Sequence, residues 1–451
     1  MHAPDVRKCG MDETLFPIPD PVAKADSSVK MGTPRLVLPN RAQVELRAVD
    51  LEGLLAVDHP ARAVWDFVEA LDLGPLYEEV KAVEGQAGRP ATAPGIYMAL
   101  WLYATVEGIG SARAIERLTR EHDAYRWICG GVSVNHHSLS DFRVNHVEYL
   151  DQVLTGSVAA LMAEGLVTLN RVAQDGIRVR ASAGAASFRR KATLEGCLAE
   201  AQEQVEALRK ELEEHPEATN RRQAAARERA AEERRRRVAE ALAQMADAES
   251  KKKAADKDKA RVSTTDADAR VMKMADGGFR PAYNAQFCVD TQAQIVVGVD
   301  VSNSGSDQDK LVPMTEQIQE RYGAVPAETL VDGGFAGLED IETASALGTK
   351  VYAPVMTPRE ATRDPHEPLP TDCPAVAEWR QRMGTQEAKE VYRGRAASVE
   401  CVNAIARNRG LQQLRSRGVH NARAILLWFA IAHNMWRSLS LRASLAAAAP
   451  A

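Results

Sequence analysis

Asp175, Asp332 and Glu400 are the residues of this chain best suited to chemistry. Asp175 sits in VAQDGIRVRASAG (172–184), Asp332 in ETLVDGGF (328–335) and Glu400 in YRGRAASVECVNAIARNRGL (392–411). The first two follow short apolar runs that read as strands, and the third lies in an Arg-rich stretch that reads as a helix. Carboxylates from distant parts of a chain make sense together if they share divalent cations. Mg²⁺ prefers oxygen ligands and takes one or two carboxylates with water and phosphate. Two such ions, a few Å apart, activate a water and stabilise the leaving oxygen on phosphorus.

Competing acids have weaker cases. Asp276 lies in ADGGF (275–279), which repeats the DGGF of 332–335, but it lacks the apolar lead of Leu330 and Val331 and reads as a Gly turn. Asp290 and Asp300 fall at or near strand ends and read as turn or surface residues. His136 and His137 have no partner ligands nearby and read as a helix entry rather than a metal site.

DGIRVRAS, DARVMKMADGGFRPAYNAQFCVD (268–290), LVDGGF and the stretch from Tyr392 to Leu411 occur in an order that resembles the DDE transposases of bacterial insertion sequences. The closest likeness is to the branch with a helical N-terminal domain, and it covers roughly residues 45 to 440. The resemblance implies a ribonuclease-H-like core and two-metal DNA strand cleavage and transfer. Asp175, Asp332 and Glu400 would be the catalytic, metal-holding set for two Mg²⁺ ions, with Mn²⁺ as a possible substitute. Double-stranded DNA, at the element ends and at the target, would be the partner, acted on by a homodimer in the paired-end complex. The family also carries a Tyr–Arg–Glu–Lys signature. Tyr392, Arg395 and Glu400 follow its order with one extra residue between Arg and Glu, and Arg407 stands at the Lys position. Tyr392, Arg395 and Arg407 are accordingly expected to contact DNA phosphate. Arg keeps the charge of Lys but can grip phosphate in bidentate fashion. Arg178 and Arg180 suit either backbone phosphate or an outward strand face.

The elements that must position these residues read as a mixed α/β fold. Residues 1–45, rich in Pro, Asp, Lys and Ser, read as a mobile arm. Residues 46–168 read as a helical DNA-binding domain, with one helix over 91–110, another over 111–128 capped by Ser111, and a long helix entered at Ser138. Residues 169–442 read as the catalytic domain, with strands at 171–179, 283–290, 293–301, 328–332 and 349–355 and helices over 308–321 and near 337–346. Asp175 then lies on the first strand and Asp332 at the end of the fourth. Residues 189–262 form an insertion. Leu194, Leu198, Ala201, Val205, Leu208 and Leu212 step by four and three, a heptad seam that His215-Pro216 stops, so a coiled-coil hairpin is expected. Residues 443–451 read as a tail.

Composition narrows the class. The net charge of −5 excludes a generic polyanion binder, yet residues 391–442 hold nine arginines and one acid, Glu400. A nucleic-acid groove explains both; a solvated helix face explains only the arginines. Six scattered cysteines show no zinc spacing and suit reduced thiols in the cytoplasm. The start lacks a signal-peptide core, and AILLWFAIAH (424–433) is too short for a span of about 20 residues, so no membrane role is expected. The alternatives are a catalytically silent, sequence-specific DNA-binding relative acting as a repressor, which would not need the carboxylates, and a structural adaptor built on the coiled coil. The short turn between helices suits DNA binding but is common to small helical domains.

Overall fold

The computed structural model describes residues 50–83, 85, 90–214, 221–356 and 363–448. The expected arm over 1–45, the helix stop at His215-Pro216 and the last residues of the expected tail lie outside the described residues. Seven helices come first: α1 (Pro60–Glu69), α2 (Gly74–Glu78), α3 (Pro94–Val106), α4 (Ala112–Glu121), α5 (Asp123–Cys129), α6 (His136–Asn145) and α7 (Val147–Ala163). Proline at the first turn opens α1, α2 and α3, where a missing N–H costs nothing. α3 is apolar on nearly all sides and is the buried axis of this region.

Two boundaries differ from the sequence reading. The helix expected over 111–128 is two, because the His122 side chain accepts the Ala124 N–H and restarts the helix as α5. Ser138 does not cap the next helix. Asn135 does, accepting the Ser138 N–H at 2.9 Å, and the long helix breaks at His146 into α6 and α7.

The sheet follows. Its strands are β1 (Arg171–Arg180), β4 (Arg270–Lys273), β5 (Phe279–Asp290), β6 (Val296–Ser302), β7 (Glu328–Leu330) and β8 (Lys350–Tyr352). A separate pair, β2 (Phe188–Arg189) and β3 (Val262–Ser263), lies outside it. β5 pairs antiparallel with β1 on one side and with β4 and β6 on the other, while β7 and β8 run parallel beyond β1. β1 is therefore the middle strand, and its neighbour on the parallel side is β7. The run expected as a strand to Asp332 ends at Leu330; Asp332 instead caps a 3₁₀ turn, Gly333–Phe335. β4 is a strand that sequence reading missed.

Between β2 and β3 stand α8 (Lys191–Glu214), α9 (Arg221–Ala243) and the short α10 (Met245–Ser250). α8 and α9 pack along Leu194, Ala201, Val205, Ala224, Ala231 and Val238, all buried. Arg209–Glu228 and Arg234–Glu200 pair across them in antiparallel register. The β2–β3 pair joins the two feet of this arm.

The rest is helical: α11 (Leu311–Tyr322), α12 (Leu338–Leu347), α13 (Pro374–Gly384), α14 (Gln386–Arg395), α15 (Cys401–Asn408) and α16 (Val419–Ala448). α16 contains the apolar run 424–433 and is buried between α3, α7 and β6. No described helix is long and apolar enough to cross a membrane. Asn434 on α16 treats the edge of β6 as another peptide would: its Oδ1 accepts the Val296 N–H at 2.8 Å and its Nδ2 donates to the Val296 carbonyl at 2.7 Å. Beside it, burial pushes His433 down to about 4. Asp151 on α7 accepts from Arg321 of α11 at 2.5 Å and Arg423 of α16 at 3.2 Å, tying the N-terminal helices to the sheet region.

The two regions also touch backbone to backbone. Gly108, after α3, and Gly410, after α15, both have positive φ, and a Cβ on Gly410 would lie 3.1 Å from the Gly108 carbonyl oxygen. Gly410→Ala should therefore cost about 1–3 kcal/mol, more than Gly130→Ala, which has positive φ but open space around it. Denaturant melts of the two variants check this; equal losses would mean the contact contributes nothing.

Candidate active site

Asp175 sits halfway along β1, opposite Phe287 on β5. Asp332 lies two residues beyond Leu330, the last residue of β7, whose register partner on β1 is Ala173, so Asp332 follows the end of β7 level with Asp175 on β1. Both line one open groove, together with Arg178, Asp276, Asp307 and Arg407. Burial raises the Asp175 carboxyl above its ordinary range; Arg395 opposes this, and the charges of Asp332 and Asp307 add to it. Asp332 is oriented by its own turn, Oδ1 accepting the Gly334 N–H at 2.7 Å.

Glu400 arrives by a different route. α14 and α15 are joined by a π-helical turn, Ala396–Glu400. Such wide turns accommodate one extra residue in a helix and recur at functional sites. Here the turn coincides with the extra residue between Arg395 and Glu400. Its loosened carbonyls are satisfied from outside the helix ladder: Ser398 Oγ donates to the Gly394 and Arg395 oxygens, and Gln294 Nε2 donates to that of Ala397. The turn leaves Arg395 bridging two acids, with Nη2 2.5 Å from Glu400 Oε1 and Nη1 3.7 Å from Asp175 Oδ2. Arg395 is thus an internal counter-ion in this structure, not a free cation on the surface. Tyr392 is half-buried beneath it, the guanidinium 5.9 Å from the ring, and its hydroxyl is pushed up by burial. Arg407 is exposed at the groove wall.

Two features of the site were not anticipated. Asn403, one helical turn after Glu400 and 2% exposed, donates Nδ2 to Asp175 Oδ2 at 3.0 Å, while its Oδ1 is buried without a partner. Its only sequence signal is the i+3 spacing from Glu400. Asp307 lines the same groove as Asp175, Asp276 and Asp332, whereas Glu400 is not among the residues that line it. Burial would raise its carboxyl, but Arg178, Asn284 and Gln286 together hold it below the usual range. Arg178 Nη2 lies 2.9 Å from Asp307 Oδ2, so Arg178 is committed to this pair rather than offered outward. A Cβ on Gly176 would fall within 2.6 Å of Asn284, Gln286 and Asp307 side-chain atoms, which explains why glycine follows Asp175.

The rejected acids have structural roles. Asp276 accepts the Gly278 N–H at 3.0 Å and pairs with Arg280. Asp290 is buried and caps the β5–β6 turn through the Gln292 and Ala293 N–H groups. His136 lies 2.6 Å from Glu116. Trp101 and Trp428 are core residues whose indole N–H groups donate to the Leu139 and Arg143 carbonyls. Of the nine C-terminal arginines, Arg395, Arg423 and Arg442 face carboxylates and are part of the framework.

Among the described residues, no three His, Cys, Asp or Glu side chains close on a common point as metal ligands. The donor set nevertheless suits a hard cation. It consists of carboxylate oxygens, the most buried of them repelled by two neighbouring acids and offset by Arg395 and by hydrogen bonds from the Gly176 N–H and Asn403 Nδ2, with an unpartnered amide oxygen beside it.

A family model described as a transposase DDE domain matches residues 249–435, and one described as a transposase domain (DUF772) matches residues 49–145. The first contains Asp332 and Glu400; Asp175 lies ahead of it, on β1. No curated protein and no solved structure matches the chain. The helical region and the sheet region thus each match a transposase domain, in the order such enzymes carry them, and the chain is a DDE transposase of the insertion-sequence type, an enzyme that cuts and transfers DNA strands.

Proposed function

We propose that Asp175, Asp332 and Glu400 are the catalytic carboxylates, that they hold two Mg²⁺ ions, and that the core is ribonuclease-H-like. The observation that carries this is the placement of Asp175 on β1 level with Asp332 just past the end of the adjacent parallel strand β7, with Glu400 reached through a shared Arg395. Antiparallel β1, β4, β5 and β6 followed by parallel β7 and β8, which alternate with α11 and α12, with β7 adjacent to β1, support the fold assignment. When bound, the ions supply activation of water or a 3′-hydroxyl and stabilisation of the leaving oxygen.

The protein's own side chains orient and neutralise. Asn403 fixes the rotamer of Asp175 through Oδ2. Arg395 screens Asp175 from Glu400 and takes a phosphate oxygen when those carboxylates gain another counter-charge. Tyr392 supports the Arg395 guanidinium, and Arg407 contacts phosphate at the groove wall. No side chain need act as a covalent nucleophile. The α8–α9 arm is a coiled-coil hairpin that bridges protomers or distal DNA, and the working unit at paired element ends is a homodimer in the cytoplasm. A silent repressor would have no use for these three acids and is not favoured.

Asp175→Asn, Asp332→Asn and Glu400→Gln should each reduce Mg²⁺-dependent strand cleavage by roughly 10³-fold or more, as when one member of a group acting as a unit is lost. Binding of the element end should persist, and Asp276→Asn should cut nearly as well as the parent. Cleavage assays on labelled duplex decide it; a dead Asp276→Asn beside an active Asp332→Asn would reverse the assignment.

The raised Asp175 carboxyl gives a stability prediction. An acid whose pKa is higher in the fold costs stability while it is charged there, and the cost fades as pH falls through that raised value. At neutral pH without divalent ions, Asp175→Asn should melt above the parent. The difference should shrink as the pH is lowered. Added Mg²⁺ should raise the melting temperature of the parent and not of the variant. Scanning calorimetry showing a less stable variant, with an unchanged Mg²⁺ response, would contradict the electrostatic account.

A further inference from the structure

The acid groove opens into a second cleft of about 620 Å³, and Arg180, Arg407, Leu411 and Gln412 line both. The second cleft lies between the N-terminal helices and the sheet region. Arg143 enters it from α6; Arg180, Arg407, Arg409 and Arg415 enter from β1, α15 and the segment that follows. The one carboxylate in its lining is Glu107. None of the five arginines forms a salt bridge with a described residue. Elsewhere in this fold Arg178, Arg321, Arg380, Arg395, Arg423 and Arg442 each face a carboxylate.

Arg143 is the clearest sign of a built site. It is 7% exposed, stacks 4.6 Å over Trp101 and donates Nη1 to the Gly110 carbonyl at 2.8 Å, yet its Nε is buried without a partner. Burial and the nearby Arg415 push its guanidinium down to about 10. Arg409 is half-buried and also has an orphan nitrogen, Nη1. Unpaired guanidinium groups held out of water beside one another are costly. An anion with several oxygens, each able to accept a forked pair of N–H bonds, removes that cost.

We propose that this cleft binds backbone phosphates of the DNA strand as it leaves the acid groove, which rests on the reading of that groove as the cleavage site. Continuity with the groove places the phosphates a few nucleotides from the scissile bond. Contacts to backbone phosphate read charge rather than base sequence. Because Arg143 belongs to the helical region and the other four to the sheet region, a strand in the cleft is gripped by both, and binding clamps one onto the other.

The test uses the full chain and a random-sequence duplex, followed by anisotropy over a range of salt. Arg409→Gln with Arg415→Gln should lower the slope of log affinity against log salt by roughly 1.8, about 0.9 for each lost phosphate contact. Affinity at fixed salt should fall alike on unrelated sequences, and Lys350→Gln, an exposed charge change at the β8 edge, should leave the slope alone. Arg415→Gln alone, at an exposed position, should lose about half as much and serves if the double variant melts early. On a cleavable duplex, a neutral methylphosphonate placed near the scissile bond should weaken the parent and not the double variant. A well-folded double variant with the parent's slope overturns the cleft proposal. A parent chain that neither binds duplex nor cuts it overturns the cleavage reading, and this proposal with it.

Discussion

A carboxylate on the middle strand of a sheet, with a second acid level with it just past the end of the next strand, is the constraint on which this structure turns. Asp175 is partly buried, and the charges of Asp332 and Asp307 work against its ionisation. Like charges this close stay ionised only if something offsets them. In this structure the offset is Arg395, carried by a helix from far along the chain and shared with Glu400. The third acid is thus linked to the first through a cation rather than by direct approach.

Much of the surrounding architecture follows from holding that arrangement still. Gly176 leaves room for the Asp307–Arg178–Asn284–Gln286 network on the face beside Asp175. That network neutralises the fourth acid internally, leaving Asp175, Asp332 and Glu400 as the set with too little counter-charge. On the other side, the wide turn at 396–400 sets the spacing at which Arg395, Glu400 and Asn403 meet β1 from one helix. α16 packs that region against the N-terminal helices and completes the edge of β6 through Asn434.

Local signals made much of this legible. Short apolar runs place Asp175 on β1 and Asp332 just past the end of β7, which pairs with it; the Gly turn marks Asp276, and the arm shows as a heptad seam whose Leu194, Ala201 and Val205 are buried. The extra residue before Glu400 is visible as an irregular spacing, but its conformation is not, because a π turn depends on partners such as Gln294 from the β5–β6 turn. Asn403 and the Arg178–Asp307 pair were missed for the same reason: their roles exist only across chain separations of more than a hundred residues. The single helix read over 111–128 failed on a side-chain cap, His122, which residue type alone does not announce. Arg395, expected as a phosphate contact, faces two acids in this structure, a placement that charge in a sequence does not reveal.

The central claim is that Asp175, Asp332 and Glu400 converge on divalent cations. The most direct measurement is an anomalous difference map from crystals of the protein with a DNA duplex and Mn²⁺. The account predicts peaks within bonding distance of Asp175 oxygens, flanked by Asp332 and Glu400, with Arg395 moved away from Asp175 towards phosphate. Peaks at Asp276 or Asp307, with Arg395 still bridging Asp175 and Glu400, would contradict it.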